Sequence, residues 1–268
     1  MFYQYYSPAP ELQKYIHRYH MLEMNNENLN IYGTSWARQH LMFNYGDSFT
    51  VTCPDGFTMS TLDCFINGSL TRPIVFNANK INIKFILVEF HSMVIRSLLR
   101  EDAHQLTDIV VDLFDIFPNE KPWVIDALKE AKTPRERINY VDSFLKNIFS
   151  SAEVKAPSYL VQFVSETERL AQPMYVFKKC CSSGKSKRQW RRSFQNYLGV
   201  SPMQFARYSR VIFLQKEILN SNQTSLADLA YKYQFADQAH MIKEFKALTS
   251  FTPKAFAKRR PFTIGQML

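Results

Sequence analysis

Glycine is scarce in this sequence, at seven of 268 residues, and the twelve prolines are dispersed, which excludes a collagen-like or linker-dominated chain. The four cysteines, Cys53, Cys64, Cys180 and Cys181, lack the number and spacing of a disulfide framework or zinc knuckle, so a reducing compartment is predicted. Apolar runs such as Phe85–Val88 fall far short of the roughly 18 residues of a membrane span, and no membrane partner is expected. The opening Met1-Phe2-Tyr3-Gln4-Tyr5-Tyr6 has neither a basic start nor an apolar stretch, so no secretory signal is read and a cytoplasmic location is expected. Gly-rich phosphate loops, a Gly-x-Ser-x-Gly elbow and Cys-x-x-Cys pairs are all missing. The expectation is therefore no enzyme: no catalytic residue, no cofactor and no metal.

What is present is apolar and aromatic. Hydrophobic residues make up 46% and aromatics 15%, enough for a real core, and the length favours two domains. The net charge of +9 is unevenly divided. Residues 1–154 carry 14 Lys+Arg against 18 Asp+Glu, whereas residues 155–268 carry 19 against 6. A mildly acidic front and a strongly basic back suggest two jobs, the second on a polyanion, although a merely solvated basic surface has the same charge.

In the front, Leu12, Tyr15, Ile16 and Tyr19 fall at helical spacing, which predicts a short amphipathic helix over Pro10–Tyr19. Short strands are predicted at Leu41–Tyr45, Phe49–Cys53, Phe57–Phe65, Pro73–Phe76 and Ile81–Phe90. Turn residues separate them, Asn77-Ala78-Asn79 among these. Alternation of Ile81, Ile83, Phe85 and Leu87 with Asn82 and Lys84 reads as a half-buried strand. Residues 92–150 read as mainly helical. Thr133-Pro134-Arg135-Glu136 supplies a cap for a helix whose apolar face is Ile138, Val141, Leu145 and Ile148. That stripe, like Ser97-Leu98-Leu99, either packs within the chain or forms the seam of a homodimer. Ser150–Pro157 is the best linker.

The back contains an internal repeat: a shift of 51 residues lays Phe194 on Phe245, Pro202 on Pro253, Phe205 on Phe256 and Ala206 on Ala257. Each copy reads as helix, tight turn, helix, over 174–198 and 225–248. Ser225 and Asp237 are the predicted N-caps in the second copy. A long helix over Pro202–Leu219, with Phe205, Val211, Leu214 and Ile218 inward, joins the two helix-turn-helix units.

Ser186-Lys187-Arg188-Gln189-Trp190-Arg191-Arg192-Ser193-Phe194 with Leu198-Gly199-Val200-Ser201-Pro202 resembles the first helix-turn-helix of the AraC/XylS family of bacterial transcription regulators. Ser225–Tyr231, Phe235, Asp237-Gln238-Ala239-His240, Phe245-Lys246 and Thr252-Pro253 resemble its second. Gln234 and Ser250 stand where the family usually has glycine, and Met241 where it usually has an aromatic residue. The front, through Tyr15-Ile16, Gly68-Ser69-Leu70-Thr71-Arg72-Pro73 and Leu106-Thr107-Asp108, resembles a poorly characterised N-terminal domain of some members.

The resemblance implies an α+β chain. Residues 1–150 would form a regulatory domain, a small cupin-like β barrel or sandwich with helices. After a linker at 151–157, residues 158–262 would form an all-α DNA-binding domain. Double-stranded DNA is the implied partner, with RNA polymerase for an activator. A small-molecule effector at the front domain stays open. In the first copy Arg188, Arg191 and Arg192 would face bases, Arg188 and Arg192 forming one stripe suited to guanine edges. Lys187, Gln189 and Ser186 would touch phosphate or groove walls. In the second copy Gln238, His240, Ile242 and Lys243 occupy reading positions, with Lys246 on phosphate. The rival reading is a ligand-binding or metal-dependent barrel, using His17, His20 and His40 or His91 and Glu89, with a basic half that binds nucleic acid non-specifically. The strand aromatics fit a core better than a pocket, since no polar cluster accompanies them.

Overall fold

Two long strands organise the front half: β2 (Ile16–Gly33) and β7 (Ile74–Phe90) run antiparallel along nearly their whole lengths. The computed structural model describes residues 2–259 except 36, 38, 54–55, 57, 61, 92, 121–122, 151–154, 182–183 and 221–224. Part of the expected linker, Ser183, and the side chains of Cys180 and Cys181 thus lie outside the described residues. Register shifts between Met24 and Asn28 bend the β2–β7 ribbon, as bulges do. On it are built β1 (Phe2–Tyr6), β3 (His40–Asn44), β4 (Thr50–Thr52), β5 (Thr58–Ser60), β6 (Cys64–Asn67) and β8 (Val110–Asp112). The sheet runs β1-β2-β7-β3-β6-β8, with β4 also on β7 and β5 on β4. Every described pairing is antiparallel.

Both faces of this sheet are covered. Leu22, Met24, Met42, Phe65, Phe76, Phe85 and Leu87 pack inside its curl with Phe49, Val51 and Cys53. Tyr19, Met21, Leu41, Phe43, Ile86 and Val88 point the other way. They meet a helical layer comprising α1 (Val94–Leu99), α2 (Leu113–Ile116), α3 (Trp123–Glu130) and α4 (Pro134–Phe149). Helix α4 begins as expected: Thr133 and Glu136 form a reciprocal capping box ahead of Pro134. Its Ile138, Val141, Leu145 and Ile148 are buried against the sheet, so the stripe packs within the chain. Asp142 accepts from the Tyr19 hydroxyl at 2.7 Å and from the Ala9 amide at 3.1 Å, tying α4 to β2.

Three expectations are corrected here and a fourth is limited in extent. The helix predicted over Pro10–Tyr19 is a 3-10 turn at Pro10–Leu12 followed by strand from Ile16. Its four apolar residues are all buried, but the sheet takes the backbone: Ile16 pairs with Phe90, and the Tyr15 carbonyl accepts from the His91 amide at 2.9 Å. Pro73–Phe76 and Ile81–Phe90 are not separate strands. Asn77, Ala78 and Asn79 pair with Asn30, Leu29 and Asn28, because β2 continues alongside and supplies ladder partners for the backbone groups that face it. Phe57–Phe65 is two short strands, β5 and β6. The half-buried alternation of β7 holds where it was read, with Asn82 exposed and Ile83, Phe85 and Leu87 buried, and ends at Ile86 and Val88, which α4 covers on the opposite face.

The regular elements among the described residues of the back half are all helices: α5 (Ser158–Leu170), α6 (Pro173–Cys181), α7 (Lys187–Leu198), α8 (Pro202–Asn220), α9 (Leu226–Lys232), α10 (Gln238–Thr249) and α11 (Pro253–Arg259). Helices α7 and α10 are each 12 residues long and share the 51-residue offset residue for residue. The repeat is therefore structural. Phe205, Val211, Leu214 and Ile218 of α8 lie in one core with Trp190, Phe194, Met241 and Phe245. The chain is an α+β protein.

Candidate nucleic-acid interface

The first candidate surface is α7. Ser186 and Gln189 close a reciprocal capping box: the Gln189 amide donates to Ser186 Oγ at 3.2 Å and the Ser186 amide to Gln189 Oε1 at 2.9 Å. This gives both residues a structural job at the helix start, beyond the phosphate contact expected of them. Trp190, Phe194 and Leu198 are buried. Trp190 sits edge-on to Tyr159 and tilted against Phe163 of α5, and the Tyr159 and Ser193 hydroxyls are 2.5 Å apart. With that face anchored, Lys187, Arg188, Gln189, Arg191 and Arg192 are all exposed. Four cations on one side of a helix bury at prohibitive cost, so the helix orients itself by charge as well as by its apolar face.

The second candidate surface is α10. Asp237 caps it by accepting from the His240 amide at 2.7 Å, as the sequence predicts, and Ser225 caps α9 by accepting from the Asp228 amide at 3.1 Å. Gln238, His240, Lys243 and Lys246 are exposed and Ile242 is half-buried. His240 is less free than its exposure suggests. Its Nδ1 accepts from the Ala236 amide at 3.3 Å and its Nε2 lies 3.5 Å from Glu244. Met241 and Phe245 face inward, so methionine fills the position the family gives to an aromatic residue.

The residues that hold α10 in place escaped the sequence reading. Arg210 of α8 is 4% exposed and donates to Glu244 Oε1 at 2.5 Å and to the Gln234 carbonyl at 3.1 Å, with its guanidinium 3.8 Å from the Phe235 ring centroid. Arg207 donates to the other Glu244 oxygen at 3.1 Å. One buried carboxylate thus binds two arginines of α8 to α10. The signal was present: Arg210 lies four residues from Ala206 and from Leu214, and Glu244 three from Met241 and four from Leu248, so both stand on apolar stripes. Nearby, the Tyr233 hydroxyl donates to the Phe213 carbonyl at 3.2 Å, fixing α9 on α8. Burial, with Glu217 alongside, pushes its pKa up to about 12 and keeps it a donor.

The histidines of the rival metal reading sit otherwise. His20 is fully buried, its Nε2 3.2 Å from Glu89 Oε2, which Arg18 also meets at 3.3 Å. The Tyr3 hydroxyl, its pKa pushed up to about 12 chiefly by burial, lies 2.9 Å from His20 Nδ1. His91 Nε2 lies 2.9 Å from the Gln13 carbonyl. No three His, Cys, Asp or Glu among the described residues gather as metal ligands. No described helix is long and apolar enough to cross a membrane.

Comparison with known proteins places both halves. Residues 181–259 match a helix-turn-helix domain family, and residues 4–112 match DUF6597, a domain of unknown function. Among solved structures, ToxT from Vibrio cholerae in its P21 form has a TM-score of 0.50 at 10% identity, over 90% of this chain and 97% of that one. Wild-type ToxT from Vibrio cholerae strain SCE256 with an unsaturated fatty acid bound also has a TM-score of 0.50 at 10% identity, over 89% of this chain and 94% of that one. At such identity the likeness is one of fold. No curated protein matches this sequence.

Proposed function

We infer that this chain, a transcription regulator with an AraC-type helix-turn-helix DNA-binding domain, reads a bipartite, non-palindromic site by laying α7 and α10 in successive major grooves of one duplex. The observation that carries this reading is the repeat itself. Two helices of equal length, each capped at its start by a Ser or Asp side chain and each with its polar face outward, pack on the one helix α8. A major groove admits one helix, and successive grooves on one face lie about 34 Å apart.

The chemistry of the two helices differs, and so do their roles. Arg188 and Arg192, one turn apart on α7, suit bidentate contacts to guanine edges, with Arg191 beside them. Lys187 and the Ser186 hydroxyl serve phosphate. On α10, Gln238, His240, Ile242 and Lys243 face the bases and Lys246 the backbone, a less charged surface that positions more than it reads. Residues 158–262 form the reading domain, and residues 1–150 control it. The family resemblance supports activation through RNA polymerase in the cytoplasm, and the fatty acid in the ToxT structure supports a small-molecule effector at the front domain.

Selection of bound DNA from a random duplex pool with the full-length protein tests this. The expected motif has two unlike half-sites centred about 10 base pairs apart, with affinity falling steeply as salt displaces released counterions. Enrichment of a single uninterrupted block, or of none, removes the two-groove reading.

A further inference from the structure

Two stretches of the front domain, Gly68–Pro73 and Leu106–Asp108, take no part in the surfaces described so far. They lie against the end of α7. Ser69, fully buried, donates its hydroxyl to the Leu198 carbonyl at 2.6 Å, and Thr107 donates to the Gly199 carbonyl at 2.8 Å. At the end of α10, the Ser35 amide donates to the Leu248 carbonyl at 2.9 Å, and the Ser35 hydroxyl donates to Thr71 at 3.1 Å. The last carbonyls of any helix have no partner within it. Here both reading helices find theirs in the same small region of another domain.

That region is internally braced. Asp108, at φ 59°, accepts from the Thr71 amide at 2.8 Å and from the Thr71 hydroxyl, while its own amide donates to the Ser69 carbonyl at 3.0 Å. Gly68 lies so close to Leu106 that a Cβ there would overlap the Leu106 carbonyl. Gly199 meets the same edge, where a Cβ would stand 2.7 Å from Thr107 Oγ1. Around these polar contacts, Ala37 and Met93 are buried in the core of the helical half, Tyr32 sits edge-on to Phe251, and Arg96 lies 4.9 Å from the Tyr197 ring centroid. The two stretches leave the sheet where β6 pairs with β8.

We propose that Ser35, Ser69 and Thr107 are positioning residues for DNA reading: they clasp the C-terminal ends of α7 and α10 together and so fix the half-site spacing that the protein accepts. The proposal rests on the two-groove reading above. A helix displaced along its groove by one base pair turns about 34° away from its bases, so a fixed pair of helices tolerates few spacings and a loosened pair tolerates several.

The test uses the full-length protein and duplexes carrying the two selected half-sites, with the spacer altered one base pair at a time up to half a helical turn. The first arm is the wild type. If it selects no bipartite site, the two-groove reading fails and the clasp with it. If it does, it binds one spacer at least about tenfold better than its neighbours. Thr107→Val and Ser69→Ala then bring the spacers within about threefold of one another while binding to a duplex with a single half-site stays unchanged. Thr107→Ser, which restores the hydroxyl, restores the preference. Circular dichroism and melting establish that each variant folds; Thr107 lies at the part-buried rim, so Thr107→Val remains informative if Ser69→Ala does not fold. Retention of the wild-type spacer profile by a folded Thr107→Val, or equal loss on every spacer, overturns the proposal.

Discussion

At the scale of the residue, the basic half uses arginine in two opposed ways. Arg188, Arg191 and Arg192 are held at the surface by the burial of Trp190 and Phe194 behind them. Arg210 is buried, and its charge is met by Glu244 within the fold. Removing a solvent-facing arginine leaves no unsatisfied group behind, whereas removing Glu244 strands a buried guanidinium. Glu244→Ala is therefore expected to lower stability by about 3–5 kcal/mol, read as a reduced denaturant midpoint. An unchanged midpoint would mean that Arg210 finds equivalent hydration or partners without it. The distinction was half legible: four cations on α7 announce an exposed face, but a single arginine on an otherwise apolar stripe gives no hint of its partner until α8 and α10 are brought together.

At the scale of the element, legibility follows locality. Helices α4, α7, α9 and α10 begin where the sequence places them, because a cap is a bond between residues three apart and needs nothing distant. The long strands were missed or divided, because a ladder partner tens of residues away decides whether Asn77-Ala78-Asn79 turns or continues. The same non-local pairing converts the helical spacing of Leu12, Tyr15, Ile16 and Tyr19 into a turn and a strand. Helix ends show a further tension. Gly199 ends α7 at φ 74°, and its counterpart Ser250 ends α10 at φ 67°, while Gln234 holds the second turn at φ 56°. The left-handed conformation that glycine usually supplies is kept without it, at the cost of strain. Ser250→Gly and Gln234→Gly are each expected to raise stability by roughly 0.5–1 kcal/mol. A fall in melting temperature would show that these side chains contribute more than the strain they impose.

At the scale of the whole molecule, the uneven charge visible in the sequence follows the boundary between two differently built halves. The front half is a sheet backed by helices, with a fully buried His20–Glu89 pair. The back half carries a duplicated helix pair, α7 and α10 at a 51-residue offset. What composition could not reveal is that the halves meet at the ends of α7 and α10, since the hydrogen bonds of that contact come from Ser35, Ser69 and Thr107, residues that carry no charge and follow no periodicity. The central claim is that each reading helix answers for its own half-site. The most direct test is to repeat the random-duplex selection with full-length Arg192→Ala. The account predicts that base preference fades within one half-site only, that the other half-site and the spacing persist, and that affinity for the wild-type site falls by about 1–3 kcal/mol while affinity for random DNA holds. Equal fading of both half-sites, or equal loss on selected and random DNA, would contradict it.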